Sequence, residues 1–94
     1  MEAIRIPITG ELDLHIFQPK EVKSLVCEYI LACRDKKIFT LRIIHGKGQG
    51  VLRRTVHSIL SKNSLVESFA LAQADAGGWG VTIVNIKRDA VHDS

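Results

Sequence analysis

In ELDLHIFQPKEVKSLVCEYILACRDKKIFTLRII, residues 11–44, the apolar period changes twice. Leu12, Leu14 and Ile16 alternate with Glu11, Asp13 and His15, the period of two that gives a strand one apolar and one polar face. Pro19 then suits the first position of a helix, with Glu21 in its first turn. Val22, Leu25, Val26, Tyr29, Ile30 and Cys33 follow at helical spacing, which predicts an amphipathic helix ending in the charged turn 34–37. Residues 38–44 are rich in β-branched side chains, with charge before them and glycine after, and read as a second, more buried strand.

Working outward, HGKGQG occupies residues 45–50. Leu52, Val56, Ile59 and Leu60 then predict a second amphipathic helix stopping near Asn63. Residues 65–72 and 81–86 read as two further strands, separated by QADAGGWG at 73–80. Before residue 11, Ile4, Ile6 and Ile8 alternate, but Pro7 and Gly10 interrupt them, so residues 1–10 are expected to form an irregular arm. The tail 87–94 is expected to fray. The chain is therefore read as one domain, 11–86, with order βαβαββ: a two-layer α/β sandwich with a mixed four-stranded sheet and two helices on one face. Right-handed crossovers make the first three strands parallel, so the loops after His15, after Ile44 and before Val81 converge at one sheet edge. In open α/β sheets that edge is where ligands bind.

The chain has 94 residues, 46% hydrophobic and 24% charged, which allows one small core and excludes disordered, collagenous and repeat architectures. No apolar run approaches the length of a membrane span, and no basic segment precedes an apolar one at Met1. A cytoplasmic protein with no membrane partner is expected. The net charge of +3 is too small to argue for a partner, but its distribution is uneven. Residues 34–62 hold eight basic side chains against the single acid Asp35, a net +7, while the other 65 residues hold five against nine, a net −4. Such asymmetry suggests a polyanionic partner. Cys27 and Cys33 fall on the first predicted helix about 9 Å apart, too far for a disulfide, and neither has C-x-x-C spacing for zinc.

Three segments carry chemistry. In HGKGQGVLRR (45–54), Gly46, Gly48 and Gly50 permit close backbone approach at a helix start, where free N–H groups favour an anion. Lys47, Arg53 and Arg54 add positive charge there. The spacing is neither Walker A nor dinucleotide-binding. Asp13 and His15 lie on one strand face, where the carboxylate can orient the imidazole or share a metal with it. With His45 they form a pair of histidines able to divide general acid and base roles in phosphodiester cleavage. Trp79, between two glycines, can stack on a base or cover the end of the core. His57 reads as a surface residue on a helix flank.

LDLHI (12–16), HGKGQGVLR (45–53) and AGGWGVTIV (76–84) together resemble the Smr, or small MutS-related, domain, and the resemblance covers residues 11–86. It implies a fold similar to the C-terminal domain of translation initiation factor 3, and endonuclease activity that nicks DNA or cleaves RNA, in recombination control or on ribosomes. By motif, Asp13 and His15 match the DLH element and His45, Gly46 and Gly48 match HGxG. Lys47 and Arg53 fill positions commonly basic in the family. One position departs: Ile16 stands where glycine is usual, and a β-branched residue does not readily take positive φ, so the turn there must take another route.

Two readings of the function follow. In the first, the domain is an endonuclease on DNA or RNA, with Asp13, His15 and His45 as the catalytic group and Gly46, Lys47, Gly48, Gly50, Arg53, Arg54 and Trp79 binding the nucleic acid. A divalent cation, Mg or Mn, is compatible with Asp13 but not required, since one carboxylate is too few for a two-metal site. In the second, the same edge binds nucleic acid or the ribosome without chemistry. A protein-interaction role for the open sheet face is a third possibility.

Overall fold

The computed structural model describes residues 7–46, 50–72 and 80–88. Its elements are β1 (Glu11–Asp13), a single 3-10 turn (Pro19–Glu21), α1 (Val22–Asp35), β2 (Thr40–Ile44), α2 (Val51–Ser61), β3 (Val66–Leu71) and β4 (Val81–Ile86). The sheet order is β1-β2-β4-β3. β1 and β2 are parallel, and β4 runs antiparallel to both β2 and β3. The first three strands therefore point the same way, and their C-terminal ends meet the start of β4 at one edge. This is the mixed four-stranded α/β arrangement that the periodicity predicts.

β1 stops earlier than its apolar alternation. Leu14 N–H still donates to the Ile44 carbonyl at 2.9 Å, but the next N–H, that of His15, donates to Asp13 Oδ1 at 2.9 Å. A short aspartate side chain thus competes successfully with the ladder. Phe17 N–H then closes a turn on the Leu14 carbonyl at 3.1 Å. Ile16 sits in this turn, 79% exposed, and among the described non-glycine residues only Lys37 has positive φ. The alternative route at Ile16 is therefore an ordinary turn that needs no left-handed residue. β2 also starts two residues later than predicted. Ile38 N–H is taken by the Cys33 carbonyl at 2.8 Å to cap α1, with Lys37 at φ 63° supplying the left-handed reversal.

Tyr29, Ile30, Val26 and Cys33 of α1 and Val56 and Leu60 of α2 pack on Leu12, Leu41, Ile43, Val84 and Ile86. Both helices thus cover one sheet face. The other face carries Glu11, Thr40, Arg42, Ser68 and Asn85, joined by an Arg42–Glu11 ion pair at 3.5 Å and a Thr40–Asn85–Ser68 chain of 3.1 Å hydrogen bonds. Cys27 and Cys33 share α1 as unpaired thiols, and burial pushes the Cys33 thiol up to about 11. The ends are tied in further than an arm and a frayed tail imply. Ile8 packs on the core and Gly10 is buried. Lys87 N–H donates to the Leu65 carbonyl, and the Arg88 guanidinium lies 4.5 Å over the Phe39 ring. Residues 1–6 and 89–94 lie outside the described residues. No described helix is long and apolar enough to cross a membrane.

Candidate functional site

At the edge where β1 and β2 end and β4 begins, Asp13 acts on His15 twice. Its Oδ1 accepts the backbone N–H at 2.9 Å and the Nδ1–H of the ring at 2.7 Å. The first of these bonds is the main cause that holds the Asp13 carboxyl below its usual range. With Nδ1 protonated and bonded, Nε2 is the free acceptor of the neutral ring. It points at Gly46: a Cβ on that residue would stand 3.0 Å from His15 Nε2. Gly46 also has φ +85° and donates its N–H to the Gly80 carbonyl at 3.0 Å. A side chain there would meet backbone strain and the His15 ring together. His15 and Asp13 are 60% and 55% exposed, so the pair faces solvent.

α2 supplies the positive wall. Its N-cap is Gly50 at φ 84°, with no side-chain cap and no acid in the first turn, which leaves the first-turn N–H groups facing outward. Arg53 and Arg54 fold back over it. A Cβ at Gly50 would lie 3.0 Å from Arg53 Nη2 and 3.4 Å from Arg54 Nη1. Lys47, Gly48 and Trp79 lie outside the described residues.

The basic segment is divided by the fold. Arg34 lies in the last turn of α1, Lys36 and Lys37 follow it, and Lys62 follows α2, at the sheet edge where β2 and β3 begin. Arg42 pairs with Glu11. Of the described basic residues in 34–62, only Arg53 and Arg54 stand at the glycine edge, so the +7 is not one patch.

The structure separates the two histidines that the sequence places together. His45 is 5% exposed, and both its ring nitrogens are engaged, Nδ1 with the Gly46 carbonyl at 3.1 Å and Nε2 with Thr82 Oγ1 at 2.8 Å. It lies behind the Gly46 backbone rather than facing outward with His15. His57 is not a surface residue. It is half-buried, with Nε2 2.7 Å from Thr82 Oγ1 and its ring packed edge-on against Phe69 at 4.9 Å. The Val56 stripe brings α2 onto the sheet and carries His57 in beside it. Thr82 and His57 were the residues sequence reasoning missed. The available signal was Thr82 itself, which shares the inward period of β4 with Val84 and Ile86, because a buried hydroxyl requires a partner.

A family model of the Smr domain matches residues 12–87. The chain belongs to the Smr domain family. Its Smr domain is 38% identical over 77 residues to Endonuclease MutS2 of Thermus thermophilus and 36% identical over 80 residues to that of Levilactobacillus brevis, covering 82% and 85% of the chain. In both cases it covers 10% of the relative, so the chain spans about a tenth of these proteins' length. The crystal structure of the Smr domain of Thermus thermophilus MutS2 matches with a TM-score of 0.79 and 37% identity, over 84% of this chain and 99% of that one. YdaL, a stand-alone small MutS-related protein from Escherichia coli, shares the fold with a TM-score of 0.77 at 24% identity, over 83% and 64% of the two chains.

Burial is the first cause holding both inner histidines below their ordinary value of 6.5. The Arg53 charge acts in the same direction on both, while the Gly46 carbonyl opposes it at His45. A histidine with a depressed folded pKa binds fewer protons than in the unfolded chain. Its stabilising contribution is complete above 6.5 and is lost as the pH falls through the depressed folded values. The thermal midpoint of this Smr domain should therefore decline once the pH drops below about 6.5, and His57→Gln should show a shallower decline. Melting curves between pH 8 and pH 5 check this; parallel curves for the two proteins would count against it.

Proposed function

We propose that this Smr domain cleaves nucleic-acid phosphodiesters at the edge between His15 and the N-terminus of α2. The observation that carries the reading is the Asp13–His15 pair, whose free Nε2 is aimed across Gly46 beside an uncapped, arginine-lined helix start. In the reaction, N–H groups of the loop after Gly46 and of the α2 start, together with Lys47, hold the phosphate, the Gly46 N–H itself being taken by the Gly80 carbonyl, and Arg53 and Arg54 offset charge developing on its oxygens. His15 Nε2 takes the proton of the attacking oxygen as that oxygen bonds to phosphorus. The bond to the leaving oxygen breaks, and solvent protonates that oxygen. Asp13 keeps Nδ1 protonated throughout and stabilises the imidazolium that forms. Trp79 stacks on a flanking base. The resemblance to proteins named Endonuclease MutS2 supports the same class of reaction.

A divalent cation such as Mg or Mn has a poor donor set here. No cluster of three His, Cys, Asp or Glu residues suited to a metal occurs among the described residues, and Asp13 Oδ1 already holds two N–H groups. No step is routed through a metal.

The test is nicking of supercoiled plasmid and cleavage of structured RNA by wild type, Asp13→Ala and His45→Ala, each with and without EDTA. Cleavage that falls in Asp13→Ala supports the reading, and equal activity in all three proteins overturns it. Nucleic-acid affinity without turnover would make the domain a binding module. Affinity should fall steeply with salt in either case. Arg53→Ala and Arg54→Ala should each weaken binding irrespective of sequence and reduce the log–log salt slope by about 0.9 on duplex DNA, one phosphate contact each. Filter binding from 50 to 200 mM salt reads the slope on the range where the effect is largest; an unchanged slope would remove the arginines from the interface.

A further inference from the structure

Behind Gly46, four groups form a chain with only one consistent arrangement of protons. His57 Nε2 and His45 Nε2 lie 2.7 and 2.8 Å from the same Thr82 hydroxyl, and His45 Nδ1 lies 3.1 Å from the Gly46 carbonyl. The rings themselves are 6.1 Å apart and nearly perpendicular, so the hydroxyl is their link. A carbonyl only accepts, which makes His45 Nδ1 the protonated nitrogen. The neutral ring then has an unprotonated Nε2, which must accept from Thr82. The threonine has one proton, and giving it to His45 obliges its oxygen to accept from His57 Nε2–H. Burial and the nearby Arg53 charge favour neutral rings at both positions, as this accounting requires.

We infer that His57 is a positioning residue: through Thr82 it fixes the tautomer and ring of His45, which holds the Gly46 carbonyl and so sets the backbone at the mouth of the glycine loop. Gly46 is the residue His15 Nε2 points at, and its N–H is held by the Gly80 carbonyl. Its carbonyl and its amide are thus fixed from opposite sides, one by the relay and one by the backbone before β4. Removing His57 frees the Thr82 oxygen to accept from His45 Nε2–H instead. The His45 ring can then change tautomer, and the Gly46 carbonyl loses its donor. The relay explains why a histidine is half-buried on α2 with its ring braced by Phe69. Its effect on cleavage rests on the function proposed above, whereas the tautomers do not.

The experiment is nitrogen-15 NMR of the imidazoles at pH 7.5 in the full chain, for wild type, His57→Gln, His57→Leu and Thr82→Val, with amide exchange at Gly46 measured in parallel. Wild type should show His45 protonated at Nδ1 and His57 at Nε2. His57→Gln retains an N–H donor for Thr82 and should keep the His45 tautomer. His57→Leu should mix or invert it and speed Gly46 exchange about tenfold or more, whereas Thr82→Val, which offers Nε2–H no acceptor, should keep Nδ1 protonated on the Gly46 carbonyl. If wild type cleaves nucleic acid, turnover should fall about tenfold in His57→Leu at unchanged affinity and recover in His57→Gln, as expected for a small misplacement of a reacting group. A wild-type His45 protonated at Nε2 overturns the inference, as does a tautomer and Gly46 exchange rate indifferent to His57→Leu in a protein that remains folded. Absence of cleavage in wild type would defeat only the proposed function, because the tautomer and exchange readouts stand without it.

Discussion

His15→Ala is expected to lower cleavage by roughly 10²- to 10⁴-fold, the range over which a positioned general base acts, with little change in nucleic-acid affinity. The ring is exposed and contributes no core contact, so its loss should leave the melting temperature nearly unchanged. Affinity should survive because the phosphate is held by the helix start and the arginines, on the other side of Gly46. Asp13 provides the sharper discrimination. Its Oδ1 accepts both the His15 backbone N–H and the ring Nδ1–H, so in this mechanism it works entirely through His15. Asp13→Ala should then lose most of the activity that His15→Ala loses, and the double variant should be no worse than His15→Ala alone. Asp13→Asn keeps an accepting oxygen for both bonds but not the charge that stabilises the imidazolium, and should fall between. Single-turnover cleavage by the four proteins checks this cycle. Losses that multiply in the double variant would assign Asp13 an independent task, recruitment of a cation being the first to examine by the EDTA arm.

The elements of this fold were legible because each helix and strand carries its own period. α1 follows from a stripe beginning at Val22, and β4 begins and ends at the residues its β-branched run predicts. The boundaries that moved did so where a polar group takes a backbone partner that periodicity cannot register: Asp13 Oδ1 ends β1, and the Cys33 carbonyl delays β2. The site divides in the same manner. Asp13 and His15 are two residues apart, so their contact is a local property of the strand end. The Thr82 contacts span 37 and 25 residues, and only the packing of α2 on β4 creates them. His45 looked like a partner of His15 because both end adjacent parallel strands. In the fold one ring turns outward from β1, while the other turns into the layer between sheet and helix. The basic segment is spread over both ends of the strands for the same reason, since a crossover helix carries its two ends to opposite edges of the sheet.

Tyr29→Phe should cost about 2–3 kcal/mol although it leaves every apolar contact of the ring in place. The ring is fully buried in α1. Its hydroxyl accepts from the N–H groups of Thr9 and Gly10 at 3.3 and 3.1 Å and donates to the Glu11 carbonyl at 3.0 Å. One phenol thereby uses its single proton and both lone pairs on three consecutive backbone units. Removing it strands two donors and one acceptor where water has little access, and an unsatisfied buried group costs about 1–3 kcal/mol. The upper part of a three-group sum is not reached, because Thr9 is exposed and can find solvent. For a domain near this size each kcal/mol shifts the midpoint by roughly 4–8 °C, so a fall of about 10 °C or more is expected. The damage should also be local. β1 is three residues long and is held to β2 by few ladder bonds, so the hydroxyl supplies a large share of what fixes its start, two residues from Asp13. Amide exchange should accelerate first at residues 10–14 while Val84 and Ile86 stay protected, and cleavage should decline with it as the Asp13–His15 pair loses its footing. Urea unfolding with residue-resolved exchange reads both effects. A loss below about 0.5 kcal/mol, the size expected of a surface change, would mean that solvent or relaxation satisfies the three groups and that β1 is held by its side chains alone.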